Sequence, residues 1–140
     1  MKKKFKARTG APFHKKDAQK IGEELSKIKV LNPEKVIDKA KDPKSILNKY
    51  FEWDNTKAGE KFRLQQARNI VNHVIEIIVI KENPIEARAF FNVVAKSGEN
   101  EYVSLTEAVT TPSYKKQLLR EMETILENLL RLIKLFSSME

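Results

Sequence analysis

The chain has 140 residues, 41% hydrophobic and 33% charged, a length and balance that suit one folded domain and exclude disorder of the whole chain. It contains no cysteine, which removes disulfides, thiolate metal sites and a cysteine nucleophile. The net charge of +8 is uneven: residues 1–20 carry eight Lys or Arg against Asp17, residues 21–51 seven against five acids, and the remainder twelve against thirteen. Basic character at one end of a neutral body is the pattern of a protein that meets phosphate, since each phosphate neutralised releases condensed counterions, although Lys-rich tails also serve solubility alone. No apolar stretch follows the basic start, as a secretory signal requires, and no apolar run approaches the ~20 residues of a membrane helix, so a cytoplasmic protein is expected.

Residues 1–13 hold Lys2, Lys3, Lys4, Lys6 and Arg8 with Gly10, Pro12 and few large apolar side chains, which predicts a flexible basic arm. Residues 14–140 are then expected to form a single α+β domain, with a helical subdomain over 14–54 and a helix-sheet-helix part over 55–140. Ile21, Leu25 and Ile28 share one face of a first short helix, Asp17 to Lys29. Asn32-Pro33-Glu34 opens a second with a capping side chain and a proline at its first position, followed by Val36, Ile37 and Ala40. Asp42-Pro43-Lys44 repeats that signal ahead of Ile46, Leu47, Tyr50 and Phe51. Two short helices so spaced have the form of a helix-turn-helix. Pro43 to Tyr50 would then be the recognition helix, presenting Lys44, Ser45, Asn48 and Lys49 to phosphates and base edges. A helical subdomain with short connections and no binding role fits the same pattern. Phe5 and Phe13, set among Lys3, Lys4, Lys6, Arg8, Lys15 and Lys16, either stack on bases or fold back on the domain. Tyr50, Phe51 and Trp53 are expected to anchor this subdomain in the core.

Asp54 can cap a longer helix with Phe62, Leu64, Ala67, Ile70 and Val71 on its stripe, ending near Asn72. Val74 to Ile80 is a β-branched run of the kind buried on both faces. Asn83-Pro84 marks a turn, Ala87 to Ala95 a second strand, and Ser97-Gly98-Glu99-Asn100 a hairpin into a third strand over 101–105, together a small antiparallel sheet of about three strands. Thr111-Pro112-Ser113 starts a long C-terminal helix in which Leu118, Met122, Ile125, Leu129, Leu132 and Phe136 form a heptad seam, widened by Leu119, Leu126 and Ile133. Such a stripe packs first on its own sheet and second on a partner, making the six seam residues the expected homodimer contact.

The constellations of catalysis are missing. Gly10, Gly22, Gly59 and Gly98 are isolated, so no phosphate loop forms. His14 and His73 lie far apart with no second ligand at metal spacing, and Glu52, Asp54, Glu121 and Glu123 have ordinary roles as caps or solvated helix faces. No catalytic residue, metal or cofactor is expected, and the protein reads as a binding protein rather than an enzyme.

The run Asp42-Pro43-Lys44-Ser45 through Phe51-Glu52-Trp53-Asp54, followed by Ala58-Gly59-Glu60-Lys61-Phe62-Arg63-Leu64-Gln65-Gln66-Ala67-Arg68, resembles a group of small phage and prophage proteins of uncharacterised function. Arg88-Ala89-Phe90, Tyr102 to Val109 and the terminal helix follow in the same order. The likeness covers Asp17 onward and is most specific over Phe51 to Arg68; the Lys-rich start and the higher Lys and Ile content depart from it. The resemblance implies a viral or mobile-element origin, hence the cytoplasm of an infected or lysogenic host, and brings no catalytic residues. The expected function is a dimeric phage accessory or regulatory protein binding double-stranded DNA. The alternative is a phage structural or host-directed interaction protein that touches polyanions only nonspecifically.

Overall fold

The computed structural model describes residues 2–54 and 57–139. The elements run β1 (Lys4–Ala7), α1 (Ala18–Lys27), α2 (Pro33–Ala40), α3 (Lys57–Asn72), β2 (Val74–Ile80), β3 (Asn83–Arg88), β4 (Phe90–Val94), β5 (Asn100–Ser104), α4 (Leu105–Thr110) and α5 (Pro112–Ser138), the α+β class expected. They divide into two compact units, Met1–Leu105 and Thr106–Glu140. Among the described residues no helix is long and apolar enough to cross a membrane.

In the first unit, an antiparallel sheet has the order β1-β2-β3 and a second sheet pairs β4 with β5. The first thirteen residues are therefore not a flexible arm. Lys4 to Ala7 pairs residue for residue with Ile77 to Val74, placing Phe5 opposite Glu76, and both Phe5 and Phe13 are buried. Phe5 stacks on Phe90, with ring centroids 6.4 Å apart, and lies against α1 at Gly22. A Cβ at Gly22 would fall 2.2 Å from Phe5 Cγ, so helix and strand approach this closely only because position 22 lacks a side chain. The core gathers Ile21 and Leu25 of α1, Val36 of α2, Leu47, Ile70 and Val71 of α3 and Val74 of β2, all fully buried.

The second helix forms as its sequence dictates: Asn32 Oδ1 accepts the Lys35 amide at 2.8 Å and Pro33 takes the first position. The third does not form. Residues 41–50 make successive turns ending in one 3-10 turn, Asn48–Tyr50, so there is no recognition helix and no helix-turn-helix. Asp42 Oδ1 accepts the Lys44 amide at 2.9 Å and Ser45 Oγ the Leu47 amide at 3.1 Å, side-chain bonds that compete with helical ones. Glu24 of α1 completes the diversion, accepting from Ser45 Oγ at 2.5 Å and from the Ile46 amide at 3.2 Å.

Strand β2 is less enclosed than its composition implies, since Val79 is 67% and Ile80 50% exposed. Strand β1 covers only its first four residues, and beyond them β2 pairs with β3 alone. The turn between these two is Lys81-Glu82, both at positive φ as a two-residue hairpin requires, and not Asn83-Pro84. Pro84 instead lies in edge strand β3, where its missing N–H costs no ladder bond on the open side. The single strand expected over Ala87 to Ala95 is interrupted at buried Ala89, where the chain passes from one sheet to the other. Ala89 donates to Val74 O at 3.1 Å and accepts from the Leu105 amide at 3.1 Å. The second unit consists of α4 and α5, the latter begun by Pro112 after Thr111. Asp54, expected to cap α3, is separated from the start of that helix at Lys57 by residues 55 and 56, which lie outside the described residues.

Candidate nucleic-acid interface

The basic end of the chain builds a cleft. Strand β1 carries Lys6 into a turn in which the Ala11 amide bonds Arg8 O at 3.0 Å and Gly10 takes φ of 82°. That positive φ is one a side chain disfavours. The Arg8 amide donates to His73 O at 2.8 Å, fixing the exit of the strand. The chain returns through the 3-10 turn Lys15–Asp17 into α1. Between these segments lies an open space of about 520 Å³, lined by Lys6, Arg8, Lys15, Lys16, Gln19 and Glu86 among others, with Phe5 and Phe13 at its base.

The cations differ in what they already hold. Lys6 is ion-paired with Glu86, Lys2 with Glu23 at 3.2 Å, and Lys3 faces Glu76 at 3.8 Å. The Glu76 oxygen facing Lys3 is buried with no hydrogen bond among the described residues, so the charge of Lys3 serves the fold. Arg8, Lys15 and Lys16 are exposed and make no ion pair among the described residues. Lys4 is likewise exposed and unpaired, on β1 beside the cleft. Phe5 and Phe13, each 7% exposed, offer no stacking face.

The wall bearing Lys15 and Lys16 is held from behind. The His14 amide donates to Tyr50 Oη at 3.0 Å, the Tyr50 hydroxyl donates to Asp17, and Lys49 reaches the same Asp17 oxygen at 2.8 Å. The Lys49 bond first, and the Tyr50 bond second, hold the buried Asp17 carboxyl below the usual carboxylate range, while Asp17 raises Lys49. Burial, followed by the bond to Asp17, raises the Tyr50 hydroxyl. Because the folded-state pKa of Asp17 is depressed, its stabilisation is complete above the ordinary value of 3.8 and is lost as pH falls through the folded value. The urea midpoint should drop as acid is added below pH 3.8, and Asp17→Asn should start lower yet lose less over that window. Parallel midpoint curves would assign the acid loss to other carboxylates, such as Glu23, which Gln19 and Lys2 also hold down.

The residues expected on a recognition helix are dispersed into structural tasks. Ser45 is buried on Glu24, Asn48 donates from its side chain to Ala40 O at 2.8 Å, and Lys49 is held by Asp17. Lys44 alone of the four is exposed and outside the ion pairs among the described residues, lining a shallow depression of about 260 Å³ with Glu24.

Sequence reasoning passed over Arg63. Its guanidinium is buried, donates to Glu52 O at 3.2 Å and to Asp54 O, and sits 5.8 Å from the Trp53 ring centroid. Gln66 accepts the Glu52 amide at 3.1 Å and donates to Tyr50 O at 3.2 Å. The paired phrases Phe51 to Asp54 and Glu60 to Arg68 are therefore a clamp on the chain entering α3. His73 Nδ1 lies 2.6 Å from Asn69 O, a partner at the end of its own helix. No protein-family model, curated protein or solved structure matches the chain.

Proposed function

We propose that the chain is a non-catalytic accessory protein of phage or other mobile-element origin that binds the phosphate backbone of double-stranded DNA. Arg8, Lys15 and Lys16 are its principal contacts. The observation that carries the reading is that these three cations share one cleft and make no ion pair among the described residues, while the cleft's one lining acid, Glu86, is engaged by Lys6. Fixed unpaired cations at this spacing attract polyanions and release counterions when occupied. Burial of Phe5 and Phe13 favours duplex over single strands, which are held by stacking. With Pro43 to Tyr50 folded as turns, the element expected to read base edges is not formed, which favours contact with the backbone over an operator sequence. The viral origin rests on the resemblance over Phe51 to Arg68.

The test is anisotropy titration of random duplex at two salt concentrations. Three to four phosphate contacts should weaken binding on the order of 40- to 150-fold between about 50 and 200 mM salt. Specific fragments that resist the higher salt would contradict backbone binding. Absence of binding at the lower salt would move the basic cleft to an acidic protein partner.

A further inference from the structure

We infer that α5 associates with three further copies of itself, forming a four-helix bundle that makes the protein a tetramer. The inference is independent of the nucleic-acid reading, because it concerns only the second unit. In heptad positions, a is filled by Met122, Leu129 and Phe136 and d by Leu118, Ile125 and Leu132. Leu118 is buried, but the others are about half exposed or more, from 48% at Met122 to 73% at Phe136. The e row behaves alike, with Leu119 49%, Leu126 57% and Ile133 62% exposed. Together they present on the order of 1,000 Å² of continuous apolar surface, against the roughly 300–600 Å² of the largest patch on an ordinary monomer. That area is comparable with the ~800 Å² per partner of a stable interface.

The width of the stripe sets the number of helices. Two strands bury a and d and leave e and g at a wet rim, where charges select the partner. Here every e position is aliphatic, and the g row of Glu121, Asn128 and Leu135 has no opposite charge on e to meet. A stripe of three positions in seven is that of a bundle helix, which touches two neighbours, or of a helix laid on a globular core, and the exposure of the e row favours the bundle. The central layer, Leu129 at a beside Ile125 at d, is a combination that favours three or four strands over two. The opposite face, with Arg120, Glu127 and Lys134, remains polar, and Glu127 pairs with Arg131 at 4.0 Å one turn away. From Leu118 to Phe136 no polar residue interrupts a or d, and Lys115, one heptad before Met122, ends the apolar a row.

Sedimentation equilibrium of the full chain, free of nucleic acid and in high salt, should give about four times 16.2 kDa. Leu126→Glu with Ile133→Glu, which strikes the e row and spares a and d, should give dimers. Ile125→Glu with Leu129→Glu should give monomers whose first unit keeps its circular dichroism and unfolding midpoint. Wild-type monomers at high micromolar concentration would overturn the proposal, showing the stripe covered within its own chain or by another protein. Wild-type dimers or trimers, or monomers that partition onto phosphatidylglycerol vesicles, would overturn it equally. A tetramer unmoved by either variant would place the contact elsewhere and end the assignment to α5.

Discussion

Deleting residues 1–13 is expected to abolish cooperative folding of the Met1–Leu105 unit rather than merely weaken binding. Truncating a buried phenylalanine to alanine costs about 3–5 kcal/mol, and the deletion removes two, Phe5 and Phe13, each only 7% exposed. It also strips four ladder pairs from β2, baring backbone groups of its first half. Glu76, opposite Phe5, loses Lys3 and is left as a buried carboxylate without a counter-charge. Against a domain stability of about 5–15 kcal/mol, these losses leave little or no folded population. Urea unfolding followed by circular dichroism should show no cooperative transition, and limited proteolysis should degrade residues 14–105. A transition with an unchanged midpoint would mean that β1 is only laid on the surface. The closeness of Phe5 to Gly22 argues otherwise.

The difference between an arm and an edge strand explains what the sequence reveals about this molecule. Helices α1, α2, α3 and α5 and strand β2 are legible because each carries its own periodicity or cap, as Asn32 and Pro33 do for α2. Strand β1 has only the alternation Lys4-Phe5-Lys6-Ala7, and its stability comes from β2, some seventy positions later in the chain. Local pattern carries no trace of such a pairing. Residues 42–50 fail for a related reason. Asp42-Pro43 is as good a helix start as Asn32-Pro33, but Glu24 captures Ser45 and Ile46 from 21 and 22 positions away, and that contact decides between helix and turns. At the candidate site, listing the basic residues was enough to include Lys6, Arg8, Lys15 and Lys16 but not to group them. Which cations remain unpaired depends on Glu23, Glu76, Glu86 and Asp17, acids scattered along the chain and assembled only by the fold. Arg63 escapes notice because its partners are main-chain carbonyls, which have no identity in a sequence.

Because the basic end is part of the core, the binding reading must be tested by side chains that the core does not use. Arg8→Glu, Lys15→Glu and Lys16→Glu together are expected to eliminate duplex binding while leaving the fold intact. All three side chains are exposed and outside the ion pairs, where substitutions ordinarily change stability by no more than about 0.5 kcal/mol each. Near 0.1 M salt each phosphate contact contributes about 0.9 decade of affinity by counterion release, so losing three weakens binding on the order of 500-fold before repulsion is counted. Repulsion adds to that, because the side chains lining the cleft pass from four cations and Glu86 to Lys6 alone against four acids. The salt dependence should flatten with the affinity. The informative control is Lys29→Glu, Lys35→Glu and Lys39→Glu, exposed positions outside the cleft that change the overall charge of +8 by the same amount. If the control retains most of the affinity, the phosphates are held by the geometry of the cleft. If it loses as much as the cleft variant, attraction to the whole molecule's charge accounts for the binding and the assignment of a site fails.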